Sequence, residues 1–252
     1  MCHDGVLRVR RGKALVFNMR NFAGHRNISE RQGSEHDVAR LRDVLTSLHL
    51  TPIIYEDKTR NQVDTILEEV ASEQDLADDD CLVVVYMSHG AENGTLEAFD
   101  RALQLQDLWE CFIPGRCPSL WGKPKLFFVQ ACEGSKKMEA AVAPSKKSKG
   151  LPTTTSTDIV GDEYTIPSHA DFLISKASVP GHVSHRDVIS GTWFIQTLCD
   201  VLVEHSQMED LVGMLTLTGA RVARHFQTSE GFRQMPSYTS TLRQKVFFTP
   251  PQ

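Results

Sequence analysis

Two residues that can act together in catalysis each follow a strongly apolar run of the chain. Cys132 lies just beyond the run 125–129, and His89 lies just beyond the run 82–87. A cysteine thiol is a nucleophile, and an imidazole manages the protons that thiol chemistry requires. Because open α/β folds place their sites at the carboxyl edge of the sheet, the two side chains are expected to meet there. The pair predicts a cysteine hydrolase.

Small residues beside this pair leave room for a ligand to approach the backbone. Gly90 follows His89 directly, and Gly134 stands two positions after Cys132. Glycine permits sharp turns and close contact with the backbone. The N–H groups of Cys132 and Gly90 are therefore expected to be free to stabilise an oxyanion.

Apolar periodicity predicts the elements that position these residues. Short apolar runs alternate with segments of helical spacing, a pattern typical of a mostly parallel sheet with helices on both faces. Strands are predicted near 14–17, 52–55, 81–87, 125–129, 170–174 and 246–248, and helices near 34–48, 63–70, 105–112, 194–202 and 211–222.

Composition narrows the class of protein. A chain of 252 residues with a net charge of -5 is long enough for a sizeable core and is not basic enough to suggest nucleic-acid binding. No apolar stretch reaches the length of a membrane span. The six cysteines show no paired spacing, which favours reduced thiols and a cytoplasmic location. No metal or organic cofactor is expected, since no His/Cys cluster has ligand spacing.

The segment Gln130-Ala131-Cys132-Glu133-Gly134 resembles the signature of the caspase family, whose histidine lies about 50 residues upstream of the cysteine. The resemblance extends from about residue 12 to residue 249. It implies a caspase-like three-layer sandwich around a central, mostly parallel six-stranded sheet. The other segments that carry it are 122–125, 170–173, 179–186, 191–196 and 235–236.

The resemblance implies an endopeptidase that cleaves proteins after aspartate, the P1 residue. Arg31, Gln130 and Arg186 match the family's three side chains that bind the P1 carboxylate. Planar guanidinium groups suit this task because they pair with a carboxylate through two hydrogen bonds and stay charged. Ser184 would add a backbone contact, and the peptide would bind as an extra strand beside 183–187.

Several positions imply substrate selectivity or depart from the family pattern. Val183 matches the P2 pocket, Trp193 matches the P4 pocket, and His185 stands between them where an aromatic residue is usual. An imidazole is smaller and can carry charge near neutral pH, so selectivity there is expected to be unusual.

Glu133 replaces the usual arginine, glutamine or glycine, and our hypothesis is that its charge weakens the active dimer.

The resemblance also implies how the chain is divided and activated. A zymogen of this kind is cut in a linker, where Asp158 and Asp162 are the candidate sites, and then works as a homodimer. The strand around 242–249 is expected to pair across the dimer axis, and inhibitors or activating proteins are further expected partners. The expected parts are a short N-terminal segment (1–12), a large-subunit portion (13–135), a linker (136–165) and a small-subunit portion (166–252).

Two other readings are weighed against this one. A catalytically weak relative that regulates an active partner by heterodimerisation would usually lack the cysteine, the histidine or an arginine, and this chain keeps all of them. A cysteine hydrolase acting on other substrates would leave Arg31 and Arg186 without a purpose. Peptides that differ at P1 discriminate between these readings.

Overall fold

Strands and helices alternate along most of the chain. A computed structural model describes residues 5–139 and 169–248. The strands are β1 (Val6–Val9), β2 (Gly12–Asn18), β3 (Leu50–Glu56), β4 (Cys81–Met87), β5 (Gly90–Ala91), β6 (Thr95–Glu97), β7 (Ala102–Gln104), β8 (Lys125–Gln130), β9 (Phe172–Lys176), β10 (Arg186–Asp187), β11 (Gly191–Thr192), β12 (Ser237–Ser240) and β13 (Lys245–Phe248). The α-helices are α1 (Ser34–Ser47), α2 (Arg60–Ser72), α3 (Trp193–His205) and α4 (Leu211–His225).

A six-stranded sheet forms the centre, in the order β12-β9-β8-β4-β2-β3. The five strands from β9 to β3 run parallel, and only β12 is antiparallel to its neighbour. β4 and β8 are buried along their whole length, because helices cover both faces of the sheet. The prediction of a mostly parallel α/β sandwich is confirmed.

Two apolar cores lie on opposite faces of this sheet. One joins alternate residues of β2, β4 and β8 to α1, α3 and α4. The other joins the remaining residues of those strands to α2 and to the segment 96–120. The period-two alternation of strand side chains therefore fixes which residues face which helices.

Side-chain caps determine where two of the helices begin. The Thr59 hydroxyl accepts a hydrogen bond from Gln62 N–H, and the Gln62 side chain accepts one from Thr59 N–H, which forms a capping box before α2. The Asp210 carboxylate accepts hydrogen bonds from Val212 and Gly213 N–H at the start of α4.

The last strand lies outside the central sheet. β13 pairs in parallel with β1, in a separate two-stranded sheet. Its residues Val246 and Phe248 are buried in the core beside α1 and α4, and this burial draws the strand away from the central sheet. The outer strand of the six-stranded sheet is β12. The expected pairing of 242–249 across a dimer axis stays a prediction.

The predicted helix at 105–112 also differs. It consists of two short 3₁₀ turns, 105–108 and 110–112. The Asp107 carboxylate accepts a hydrogen bond from Gln104 N–H, which tightens the first turn. A one-turn cap of this kind suits a short connector better than a continuous α-helix.

Some expectations concern residues outside the described part of the chain. Asp158, Asp162 and all but the first residues of the expected linker 136–165 belong there. None of the described helices combines the length and the apolar character needed to cross a bilayer. Within the described ranges 5–139 and 169–248, no cluster of three or more His, Cys, Asp or Glu side chains is arranged to hold a metal ion.

Phe127 tests the core on the α2 face of the sheet. It is fully buried in β8 and stacks on Phe172, with ring centroids 6.1 Å apart. We expect Phe127→Ala to lower the free energy of unfolding by about 4 kcal/mol, through lost burial and a residual cavity. Urea denaturation measures this loss. Trp121→Ala, at a half-exposed side chain, is the control and should change stability by less than about 1 kcal/mol.

Candidate active site

The thiol and the imidazole lie at the same edge of the central sheet. Met87 at the end of β4 is in register with Gln130 at the end of β8, and Ser88 N–H donates to Gln130 O at 3.0 Å. His89 lies two residues after Met87, and Cys132 lies two residues after Gln130. The two backbones approach so closely that a Cβ atom on Gly90 would lie 2.4 Å from Cys132 O, which only glycine avoids.

The Cys132 side chain is half-buried and lies beside Ser184. Ser184 N–H lies 3.4 Å from Cys132 Sγ, and the hydroxyl of Ser184 lies 3.7 Å from it. The other described cysteines (Cys81, Cys111, Cys117 and Cys199) are buried. Burial raises the pKa of Cys111 and of Cys199 to about 12, so these two thiols stay protonated and unreactive.

A backbone carbonyl orients His89. The Nε2 atom lies 2.9 Å from Ser29 O, and because a carbonyl oxygen only accepts, Nε2 carries the proton in the neutral ring. Nδ1 is then the free basic atom. The ring also packs against Phe22, with centroids 5.3 Å apart. Burial lowers the pKa of His89, with smaller contributions from Arg31 and Arg186, so the neutral ring predominates at pH 7.

Two N–H groups at this edge are available to an oxyanion. Glu97 N–H donates to His89 O, which makes these residues a hydrogen-bonded pair of the β5–β6 hairpin. Gly90, the next residue, is therefore in a non-hydrogen-bonded pair, and its N–H points away from the hairpin. Cys132 N–H has no acceptor among the described residues.

Arg31 is buried with part of its guanidinium group unsatisfied. Its exposed fraction is 1%, and Nη1 donates to Asn18 Oδ1 and to Met19 O, each at 3.1 Å. Nε and Nη2 are buried without a hydrogen-bond partner. Burial and the nearby charge of Arg186 lower the pKa of Arg31 to about 9, so the group stays positive at pH 7. A buried cation with free donors requires an anionic ligand.

Arg186 places a second positive charge near Arg31. Its Nε donates to Gln32 O at 2.8 Å, which leaves the outer nitrogens for a ligand. No carboxylate of the described residues forms an ion pair with Arg31 or Arg186. Burial lowers the pKa of Arg186, and the nearby carboxylate of Asp37 opposes this effect.

Gln130 and Cys132 both contact Ser184. Gln130 Nε2 donates to the Ser184 hydroxyl at 3.0 Å, and Gln130 Oε1 is buried without a partner. Three of the five buried unsatisfied side-chain atoms of the described residues belong to Arg31 and Gln130. Unmet hydrogen-bonding capacity is therefore concentrated near Cys132, as expected of a polar binding site.

Sequence reasoning missed Thr192 and Asp37. Thr192 lies opposite Arg186 across β10 and β11, and its hydroxyl is buried without a partner. The Asp37 carboxylate accepts hydrogen bonds from Thr192 N–H at 2.9 Å and from Gln196 Nε2 at 2.7 Å. Asp37 lies on the buried face of α1, beside Val38. A charged residue on the buried face of a predicted helix is the feature of the sequence that could have indicated its role.

The aromatic residues expected to contact the substrate lie together. The ring centroids of His185 and Trp193 are 4.5 Å apart, and Trp193 stacks on Phe226 at 5.1 Å. Burial, with a smaller effect of Lys137, lowers the pKa of His185, so this ring is neutral at pH 7. Val183 is half-buried. Phe226 was not anticipated from the sequence.

Glu133 is paired within the chain. Its carboxylate accepts a hydrogen bond from Lys176 Nζ at 2.9 Å, and the exposed fractions of the two side chains are 8% and 18%. An internal cation therefore compensates the charge that was expected to repel a partner. This contact removes the physical basis of the hypothesis that Glu133 weakens a dimer by charge repulsion.

Comparison with known proteins identifies the relatives of this chain. The family model described as "Caspase domain" matches residues 11–247. The chain is 33% identical over 250 residues to caspase-6 of Gallus gallus. The alignment covers 96% of this chain and 81% of that protein. It is 34% identical over 245 residues to caspase-1 of Spodoptera frugiperda, with coverages of 94% and 78%.

A solved structure agrees with these sequence matches. The crystal structure of caspase-1 from Spodoptera frugiperda superimposes with a TM-score of 0.84 at 32% sequence identity. The match covers 96% of this chain and 93% of that one. Sequence and fold therefore agree over nearly the whole length.

The Glu133–Lys176 pair gives a stability prediction. Lys176→Met leaves a largely buried carboxylate uncompensated, and we expect the free energy of unfolding to fall by about 3 kcal/mol. The double variant Glu133→Gln, Lys176→Met removes both charges and should regain most of this loss. Urea denaturation at pH 7 compares the two. Equal losses in the single and double variants would contradict the pairing.

Proposed function

The chain belongs to the caspase family, a family of cysteine proteases, and we propose that it is an active endopeptidase that cleaves proteins after aspartate. The observation that carries this proposal is the pair of guanidinium groups, Arg31 and Arg186, near Cys132. Among the described residues these groups form no ion pair, and Nε and Nη2 of Arg31 are buried without a hydrogen-bond partner. A short side-chain carboxylate one residue before the scissile bond would neutralise them.

The proposed acylation step uses the sheet edge. The Cys132 thiol passes its proton to His89 Nδ1, and Sγ attacks the carbonyl carbon of the P1 aspartate. The carbonyl oxygen gains negative charge, which the N–H groups of Cys132 and Gly90 stabilise. His89 then returns the proton to the departing nitrogen as the C–N bond breaks, leaving a thioester on Cys132.

The proposed deacylation step reverses these roles. A water molecule attacks the thioester carbon while His89 Nδ1 accepts one of its protons. The C–S bond breaks, the proton returns to sulfur, and a peptide ending in aspartic acid leaves. The hydrogen bond from Nε2 to Ser29 O holds the ring in one orientation through both steps.

Backbone geometry supports binding of the substrate as an added strand. Trp193 N–H donates to His185 O, so these two residues form a hydrogen-bonded pair. Arg186 and Thr192 are the next pair, and the N–H and C=O of Arg186 therefore point away from the hairpin. They are available to a peptide main chain, and Ser184 adds contacts next to the thiol.

Selectivity beyond P1 is proposed to come from the aromatic cluster. Val183 would contact the P2 side chain, and Trp193 with Phe226 would line the P4 pocket. His185 lies against Trp193 between the two. Because burial keeps this imidazole neutral, we expect it to contribute shape and not charge at pH 7.

Activation and assembly complete the proposal. Cleavage after Asp158 or Asp162 would separate the large portion (13–135) from the small one (166–252). The free edge of β12 would then pair with β12 of a second copy, since an edge strand offers unpaired backbone groups. The free thiols of the described cysteines favour a reducing compartment, in accord with a cytoplasmic location.

Peptides that differ only at P1 test the proposed specificity. Tetrapeptides ending in aspartate, asparagine or arginine are offered as fluorogenic substrates. Asparagine matches aspartate in size but lacks its charge, so kcat/KM should fall at least about a hundredfold. Cys132→Ala, checked for folding by circular dichroism, is the inactive control. A folded chain that cleaves none of the peptides would contradict the proposal and favour the regulatory alternative.

Gln234 tests the positioning of the substrate-binding strand. It is 1% exposed, accepts a hydrogen bond from His185 N–H at 2.7 Å and donates to Ala177 O at 2.8 Å. Gln234→Met keeps the shape and removes both bonds, so we expect KM for an aspartate peptide to rise about tenfold with a smaller change in kcat. Gln234→Glu keeps the acceptor and should recover part of the affinity. A loss confined to kcat would contradict this role.

A further inference from the structure

The turn between β10 and β11 exposes two adjacent apolar side chains. The exposed fractions of Val188 and Ile189 are 56% and 84%, and Ile189 is the most exposed large hydrophobic residue of the described chain. Single exposed apolar residues are common, but two neighbours at the tip of a substrate-binding hairpin are a candidate contact.

The turn holds these side chains in one arrangement. The Asp187 carboxylate accepts hydrogen bonds from Ile189 N–H at 2.7 Å and from Ser190 N–H at 3.0 Å. On the other side, a Cβ atom on Gly33 would lie 2.7 Å from Val188 O, so the turn packs directly on the loop that follows Arg31. A preorganised surface loses little conformational entropy when a peptide binds.

The direction of the substrate follows from the position of the proton donor. His89 lies beside Phe22 on the α2 face of the sheet, and the hairpin carrying Arg186 packs on α1 through Asp37 and Thr192. The departing amine must lie at His89. The acyl half, which precedes the scissile bond, therefore extends along the hairpin on the other face.

The register of the added strand then locates Val188. P1 lies beside Ser184, which contacts the thiol. Moving toward the substrate's N-terminus, an antiparallel strand places P3 beside Arg186, whose backbone groups are free, and P5 beside Val188. The segment 181–183 is unavailable for pairing, because its backbone is already bonded to Glu133 and Lys136.

We propose that Val188 and Ile189 form an apolar contact for the substrate residue five positions before the scissile bond. This inference rests on the proposed function and extends it to substrates with leucine, isoleucine, valine or phenylalanine at P5. The Asp187 carboxylate lies at the same tip, so an acidic P5 residue is disfavoured. Specificity would therefore reach beyond the four residues that a tetrapeptide offers.

Pentapeptides with one common P4–P1 sequence test this contact. Leucine, serine or aspartate is placed at P5, and kcat/KM is compared with that of the matching tetrapeptide. We expect leucine to exceed serine about fivefold, as for partial burial of one aliphatic side chain, and aspartate to be the poorest. In the double variant Val188→Ser, Ile189→Ser, the ratio of leucine to serine should fall to about one, while tetrapeptide cleavage stays unchanged.

The same pentapeptides are used for the control variant and for the outcomes that would contradict the proposal. Val203→Ser, at an exposed position on α3, should keep the wild-type P5 ratio. A wild-type chain that cleaves the tetrapeptide but does not distinguish P5 residues would overturn this inference alone. An undiminished leucine preference in the double variant would also overturn it. Failure of the wild-type chain to cleave any aspartate peptide would overturn the proposed function, and this contact with it.

Discussion

The register of two buried parallel strands is the constraint on which the site depends. β4 and β8 pair along their length, with Met87 opposite Gln130, and both are buried on each face. A slip of one residue would turn every side chain of a strand to the opposite core, so burial enforces the register. The residues that follow, His89 and Cys132, are held at a common edge by the same force that holds the sheet.

A concentration of positive charge distinguishes this edge of the sheet. Arg31 is buried beside Arg186, and two of its nitrogens lack partners. Desolvated like charges are unfavourable, and the well-packed sheet and helices maintain them through hydrogen bonds to Asn18, Met19 and Gln32. The arrangement makes a carboxylate far more favourable in this cavity than a neutral group of equal size.

The second half of the chain completes the cavity. The hairpin β10–β11 crosses the sheet edge and is attached to α1 through the Asp37 carboxylate, which accepts hydrogen bonds from Thr192 and Gln196. Its other end is held by Ser184, next to Cys132. The hairpin proposed to bind the peptide and the thiol at the sheet edge are thus mechanically connected.

The sequence alone determined the five parallel strands of the central sheet, the four α-helices and the common edge that Cys132 and His89 follow, because apolar periodicity records burial and parallel strands share one edge. Arg31 and Arg186 came from the motifs shared with a family, since nothing in their local pattern distinguishes them from surface arginines. Only the tertiary structure decided that Ser29 O, 60 residues before His89, orients the ring, that Lys176 neutralises Glu133, and that β13 pairs with β1. These contacts join distant segments through backbone atoms or long side chains. Contacts of this kind produce no repeating pattern in the sequence from which they could be predicted.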